Sequence, residues 1–263
     1  MSKLFLSNTN QTLSTNKHLQ LIEWSENFTI QTNYFTSQLK FGKIKSIFED
    51  DLKKYFSLCA LARSKSANQE LRWIADSKLF KTRVSLEKSI HRTFDSAPYD
   101  AESKIKCVLS NNFFGNSKKQ GVSLRLPLES CKPTKLCGNA CYAHDVLDAT
   151  PAAIIRGAIN GWLAKTFEFG AEDLKKNILA KLTPHVYLAI RNAKKELNNL
   201  PPGFKRRPFI RFSHVGEIVN YPNFANALAK LVRDESNREV DCVVYTRHKY
   251  ALKLDPSLWI INF

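Results

Sequence analysis

Three of the chain's six cysteines stand at 131, 137 and 141 within the stretch SCKPTKLCGNACYAHD, and His144 follows three residues after the last of them. Thiolates are soft donors suited to zinc or to iron-sulfur clusters, and a loop suits them because the side chains must converge on one point. Pro133 and Gly138 permit the tight turning this requires. The C-x5-C-x3-C spacing leaves several chemistries open. Three thiolates on a four-iron cluster leave one iron open to bind something else. A structural zinc site closes with four ligands, here Cys131, Cys137, Cys141 and His144, in an order known from RNA-binding zinc fingers but more tightly spaced. Three unligated thiols in a loop are the plain alternative. Nucleophilic catalysis, with His144, His214 or His248 as base, ranks last because nothing in the spacing singles out one cysteine.

The other three cysteines sit apart in apolar company, in FSLCALA, IKCVLS and VDCVVYT, and Cys59, Cys107 and Cys242 read as core residues. The amino-terminal MSKLFLSNTNQTLSTNK has neither the apolar run of a signal peptide nor a spanning helix, so the expectation is a cytoplasmic chain with no membrane contact. A reducing compartment disfavours disulfides. Forty Lys and Arg against 24 Asp and Glu give +16, spread along the chain. That balance points to an anionic partner, DNA or RNA first, with solubility as the bland alternative. No recognition helix, zinc-finger array or aromatic RNA-binding motif accompanies it.

The elements that must position these residues follow from periodicity. Residues 1–20 are too polar to order themselves and read as a flexible tail. Residues 21–104 read as a mainly helical region, after a weak alternation in 21–40. Its helices are IFEDDLKKYFSLCALARS, with Ile47, Leu52, Phe56, Cys59 and Ala60 near one face, then SANQELRWIADSKLF opened by Ser66, then a third over 82–95. From 105 to 263 strands alternate with helices. IKCVLS and VSLRLPL read as short strands, the second leading into the cysteines, and GNSKK as a turn before it that packs on the cysteine loop. That turn could alternatively cradle an anion with backbone amides, although it lacks the nucleotide-binding P-loop pattern. Thr150 and Pro151 open a helix with Ile155, Ile159, Trp162, Leu163 and Phe167 on one stripe, and two further helices flank the Thr183-Pro184 step. Then come strand FIRFSHVG, helix YPNFANALAKLVRDE, strand VDCVVYTRH, a short helix KYALKLD and strand LWIINF, whose abrupt apolar end suggests a truncated chain or a small sheet.

This rhythm predicts a parallel sheet of βαβ units, and such sheets collect functional groups at the carboxyl ends of their strands. Those ends carry Cys131, His214 to Glu217, and Arg247 with His248. Each has a bland reading too. Glu217 can be a solvated carboxylate near Asn220 and Pro222, His214 a satisfied strand-end histidine, and Arg211 and Arg247 surface cations instead of carboxylate or phosphate ligands.

A strand entering a three-cysteine loop, then a helix, then a strand ending in Gly-Glu resembles the start of the radical S-adenosylmethionine superfamily. The resemblance implies an α/β fold with a partial or small parallel (βα) barrel-like sheet. It also implies a 4Fe-4S cluster on Cys131, Cys137 and Cys141, with S-adenosylmethionine held by Gly216 and Glu217 in HVGEI, where Val215 stands at a usual glycine position. Tyr142 follows the third cysteine, whereas the family's aromatic residue precedes it, at the place of Ala140. The chain further resembles phage- and mobile-element-encoded proteins that carry Gly-Asn-Ser-Lys, then cysteines, then Cys-Tyr-Ala. Here those are GNSK at 115–118 and CYA at 141–143, within a similarity from about 110 to 250. Two functions result: a radical-S-adenosylmethionine-like iron-sulfur enzyme acting on or near nucleic acid, or a non-enzymatic zinc-stabilised nucleic-acid-binding protein.

Overall fold

The computed structural model describes residues 41–62, 69–110, 112–117, 121–131, 150–198, 206–246 and 248–262. The amino-terminal tail, the alternating 21–40 stretch and Ser66 lie outside them. Helices α1 (Phe41–Ile47), α2 (Glu49–Ala62), α3 (Gln69–Ser96) and α4 (Ala101–Leu109) come first. In α2 the acids Glu49, Asp50 and Asp51 occupy the first turn, where the helix dipole favours them, and Leu52, Tyr55, Leu58 and Cys59 form the buried stripe. Ala60, placed on that face by periodicity, is exposed.

Two expectations are corrected in this region. The second and third helices are one, α3, because no glycine or proline interrupts residues 69–96. IKCVLS is not a strand but the second half of α4. A short apolar run does not fix its own period, and the Asp100 carboxylate, accepting from the Ser103 N–H at 2.6 Å, caps the helix ahead of it.

The sheet contains β1 (Phe114–Ser117), β2 (Gly121–Arg125), β3 (Phe209–Val215), β4 (Asp241–Tyr245) and β5 (Trp259–Asn262), in spatial order 1-2-3-4-5. Gly115, Asn116 and Ser117 of GNSK belong to β1, antiparallel to β2, and not to a turn. From β2 to β5 every pairing is parallel, as the alternation of elements predicts. Between β2 and β3 the register slips: Ser123 faces Arg211 but Arg125 faces Val215, so two steps of one strand match four of the next. The α/β class and the preceding helical region are therefore as expected. Among the described residues no pairing joins β1 to β5, and the sheet is open.

Between β2 and β3 lie α5 (Pro151–Phe169) and α6 (Glu172–Asn198), and between β3 and β4 lies α7 (Pro222–Glu235). Thr150 caps α5 from its side chain, as the sequence predicts. The two helices expected around Pro184 are one, α6. A proline inside a helix costs roughly 3 kcal/mol. Ile178, Leu182, Val186, Ala189, Ile190 and Ala193 offset that cost by continuing one buried stripe across it. The Glu168 carboxylate of α5 accepts from the Asn223 side chain and the Phe224 N–H, closing the first turn of α7. Short 3-10 turns at Leu128–Ser130, Ile218–Asn220 and Lys249–Lys253 complete the chain, the last replacing the helix expected at KYALKLD.

One continuous core runs from Ile44 in α1 to Trp259 in β5. On the sheet face that meets the helices, Phe212 contacts Phe114 and Trp259 edge-on, with centroids 6.0 and 4.9 Å away. Cys59, Cys107 and Cys242 are buried as anticipated, and burial pushes the thiols of Cys107 and Cys242 up to about 11 and about 12, which keeps them protonated and unreactive. No helix among the described residues is long and apolar enough to cross a membrane.

A buried carboxylate, paired with an arginine of its own helix, ties α3 to the exit of β2. Glu87, fully buried, accepts from Arg83 Nε at 2.6 Å and from the Leu128 N–H at 2.5 Å. Burial works against the Arg83 charge, but the Glu87 carboxylate and Tyr55 together more than offset it. Removing one member of such a pair leaves a buried charge uncompensated. Glu87→Ala should therefore cost about 3–5 kcal/mol in denaturant unfolding. Arg83→Met combined with Glu87→Gln, which keeps an acceptor for the Leu128 N–H, should recover most of that loss.

Candidate functional site

The strands β2, β3 and β4 leave the sheet at one edge, because they are parallel. After Arg125 the chain makes one more strand-like bond, from the Leu126 N–H to Val215 O at 2.9 Å, before Pro127 removes the next donor and the 3-10 turn begins. The turn delivers Cys131, whose N–H bonds Leu128 O at 2.9 Å. Cys131 is partly buried and packs against a small apolar cluster of Leu128, Val215, Phe80 and Val84.

The exit of β3 is pressed against that of β2. Gly216 has φ +77°, and a Cβ on it would lie 2.7 Å from Leu126 C, Leu126 O and Pro127 O, so no other residue fits without displacing the β2 exit. The Ser130 hydroxyl joins the two exits: it donates to Pro127 O at 2.7 Å and accepts from the Glu217 N–H at 2.8 Å. The Asn220 side-chain amide donates to Ser130 O. The residue directly before Cys131 is thereby fixed to the backbone of Glu217.

Glu217 itself is partly buried, with Oε2 enclosed and lacking a hydrogen-bond partner. Burial raises its carboxyl above the usual range, and a hydrogen bond from Thr246 opposes the rise only in part. Thr246 lies just past β4. Its hydroxyl accepts from the His248 N–H at 3.0 Å, and its own N–H bonds Asn262 O in β5 at 2.9 Å. His248 Nδ1 accepts from the Tyr250 N–H at 3.2 Å, and the two rings meet edge-on. On the sheet face turned away from α7, the Arg211 guanidinium lies over the Tyr245 ring, 4.8 Å from its centroid.

The structure thus brings together Cys131, Gly216 and Glu217, three of the residues that the sequence singles out. Glu217 is not the freely solvated carboxylate of the bland reading. Cys137, Cys141, Tyr142, His144 and Arg247 lie outside the described residues, as does the His214 side chain, although its backbone belongs to β3. Among the described residues no group of three His, Cys, Asp or Glu could hold a metal ion. Sequence reasoning missed Ser130, Asn220 and Thr246. Ser130 adjoins the cysteine motif and Asn220 stands three residues after Glu217, but neither position announces a partner roughly 90 residues away in the chain. Comparison of the chain with protein-family models, curated proteins and solved structures gives no match.

Two substitutions test this geometry. Ser130→Ala leaves the Glu217 N–H without its acceptor and should cost about 1–3 kcal/mol in unfolding free energy. Because the native state holds a proton on Glu217 more tightly than the unfolded chain does, stability falls as pH rises from the ordinary carboxylate range through the raised native value. Glu217→Gln should remove that slope and raise the thermal midpoint at pH 7, as measured by calorimetry across pH 4 to 8.

Proposed function

We propose that the chain is a radical-S-adenosylmethionine-like iron-sulfur protein of a phage or mobile element, holding a 4Fe-4S cluster on Cys131, Cys137 and Cys141. One observation carries the reading. The Ser130 hydroxyl bonds the Glu217 N–H, fixing the residue before the first cysteine to the backbone of an acid whose Oε2 is enclosed and unpartnered. The donor set suits the group: one thiol at a strand exit, with two more within ten residues of chain.

Glu217 would accept from the methionyl amino group of S-adenosylmethionine. Its buried charge is costly alone and favourable opposite an ammonium. Thr246 would hold the carboxylate in orientation, Gly216 would leave room beside the β2 exit, and Tyr142 would lie against the cofactor, as the family resemblance suggests. The cluster, when bound, supplies the electron that opens a carbon-sulfur bond of the sulfonium. Phe80 and Val84 of α3 would keep water from the cysteine side. The net charge of +16 favours DNA or RNA as substrate or neighbour, and Arg211 with Tyr245 offers a cation and an aromatic face on the same side of the sheet. A reducing, cytoplasmic setting suits such a cluster.

Anaerobic reconstitution with iron and sulfide should give a brown protein with matched iron and sulfide content, lost in Cys131→Ala. S-adenosylmethionine should alter the paramagnetic spectrum of the reduced wild-type protein but not that of Glu217→Gln. A colourless protein that binds one zinc ion, released by His144→Ala, would overturn this reading in favour of a zinc-stabilised nucleic-acid-binding protein.

A further inference from the structure

A cavity of about 270 Å3 opens where β1 and the start of β2 meet α5 and α6. Its polar lining is Arg156 from α5, His185 and Asn192 from α6, and Asn112 and Asn116 flanking and within β1, with no carboxylate among its residues. The apolar part is Phe113, Phe114, Val122, Leu188 and Ala189. Arg156 Nε is enclosed and has no hydrogen-bond partner, and among the described residues no carboxylate lies within ion-pair distance of this guanidinium. Burial lowers the Arg156 pKa, and the like charge of Arg125 lowers it further. A second guanidinium thus adds to the cost of burying the first. His185 is pushed down by burial alone, so near neutral pH it offers an uncharged ring that can donate one hydrogen bond.

A cation with one enclosed, unpartnered nitrogen, donor amides around it and no carboxylate among the lining residues is matched by an oxyanion, and the aromatic wall is matched by a flat apolar body. We propose that this cavity is a binding site for a small organic anion, a carboxylate or phosphate monoester whose charged group meets Arg156 and whose body packs against Phe114 and Leu188. The site gives the GNSK stretch a role in binding an anion through the Asn116 side chain, with Gly115 as cavity wall, in place of a backbone cradle. Neither Cys131 nor Glu217 lines it, and it does not depend on the iron-sulfur reading.

The test uses the full chain with phenyl phosphate and benzoate as the two anion arms and phenol as the uncharged control, each titrated by calorimetry. At least one anion should bind saturably, at least tenfold more tightly than phenol, and the stronger arm identifies the headgroup. Arg156→Met should weaken that binding at least tenfold. Leu188→Trp, at the partly exposed rim, should block it without removing charge, and it serves if the arginine variant proves unstable. No binding by either anion, equal binding of phenol, or affinity unchanged in both variants would overturn the proposal.

Discussion

Everything at the candidate site depends on one hydroxyl. Two parallel strands leave a sheet side by side, but their continuing chains are free to diverge unless something fixes them. Ser130 does so by donating to Pro127 in its own turn and accepting from Glu217 in the neighbouring one, while the Asn220 amide holds its carbonyl. The close fit of Gly216 against Leu126 and Pro127 makes this possible, since any side chain there would hold the exits apart. On the other side, Gly157 and Gly161 let α5 approach the same two residues. The β2 exit is thus enclosed from two directions.

The helical region is part of this arrangement and not an appendage. Glu87 satisfies the Leu128 N–H at the start of the turn, and Phe80 and Val84 supply half of the apolar wall beside Cys131. The fully buried carboxylate is tolerable because Arg83 is buried beside it. A protein whose sheet alone carried the site would have exposed the cysteine from this side.

Much of the fold was legible in the sequence, and the exceptions have physical causes. The capped start of α5 and strands β2 to β5 follow from Thr150-Pro151 and from short apolar runs bounded by turn formers. Where a run is short, local pattern cannot decide its period, and IKCVLS becomes helix because Asp100 caps it. Pro184 signals a break that tertiary burial overrides. At the site, the sequence places Cys131 and the Gly216-Glu217 pair at strand ends, and the fold puts them at the adjoining exits of β2 and β3. Ser130 and Thr246 are common residues whose partners come from distant chain segments, so only the assembled fold reveals them.

The register slip between β2 and β3 has a geometric consequence. With an even ladder, Arg125 would sit opposite Ser213, and Glu217 would overshoot the edge by two further residues, about 6–7 Å. The surplus length absorbed by β3 draws its carboxylate back to the depth of the neighbouring turn. Strand length, as much as side-chain identity, therefore sets how far this acid reaches, and a change of two residues within 211–215 would alter its reach with every named side chain intact.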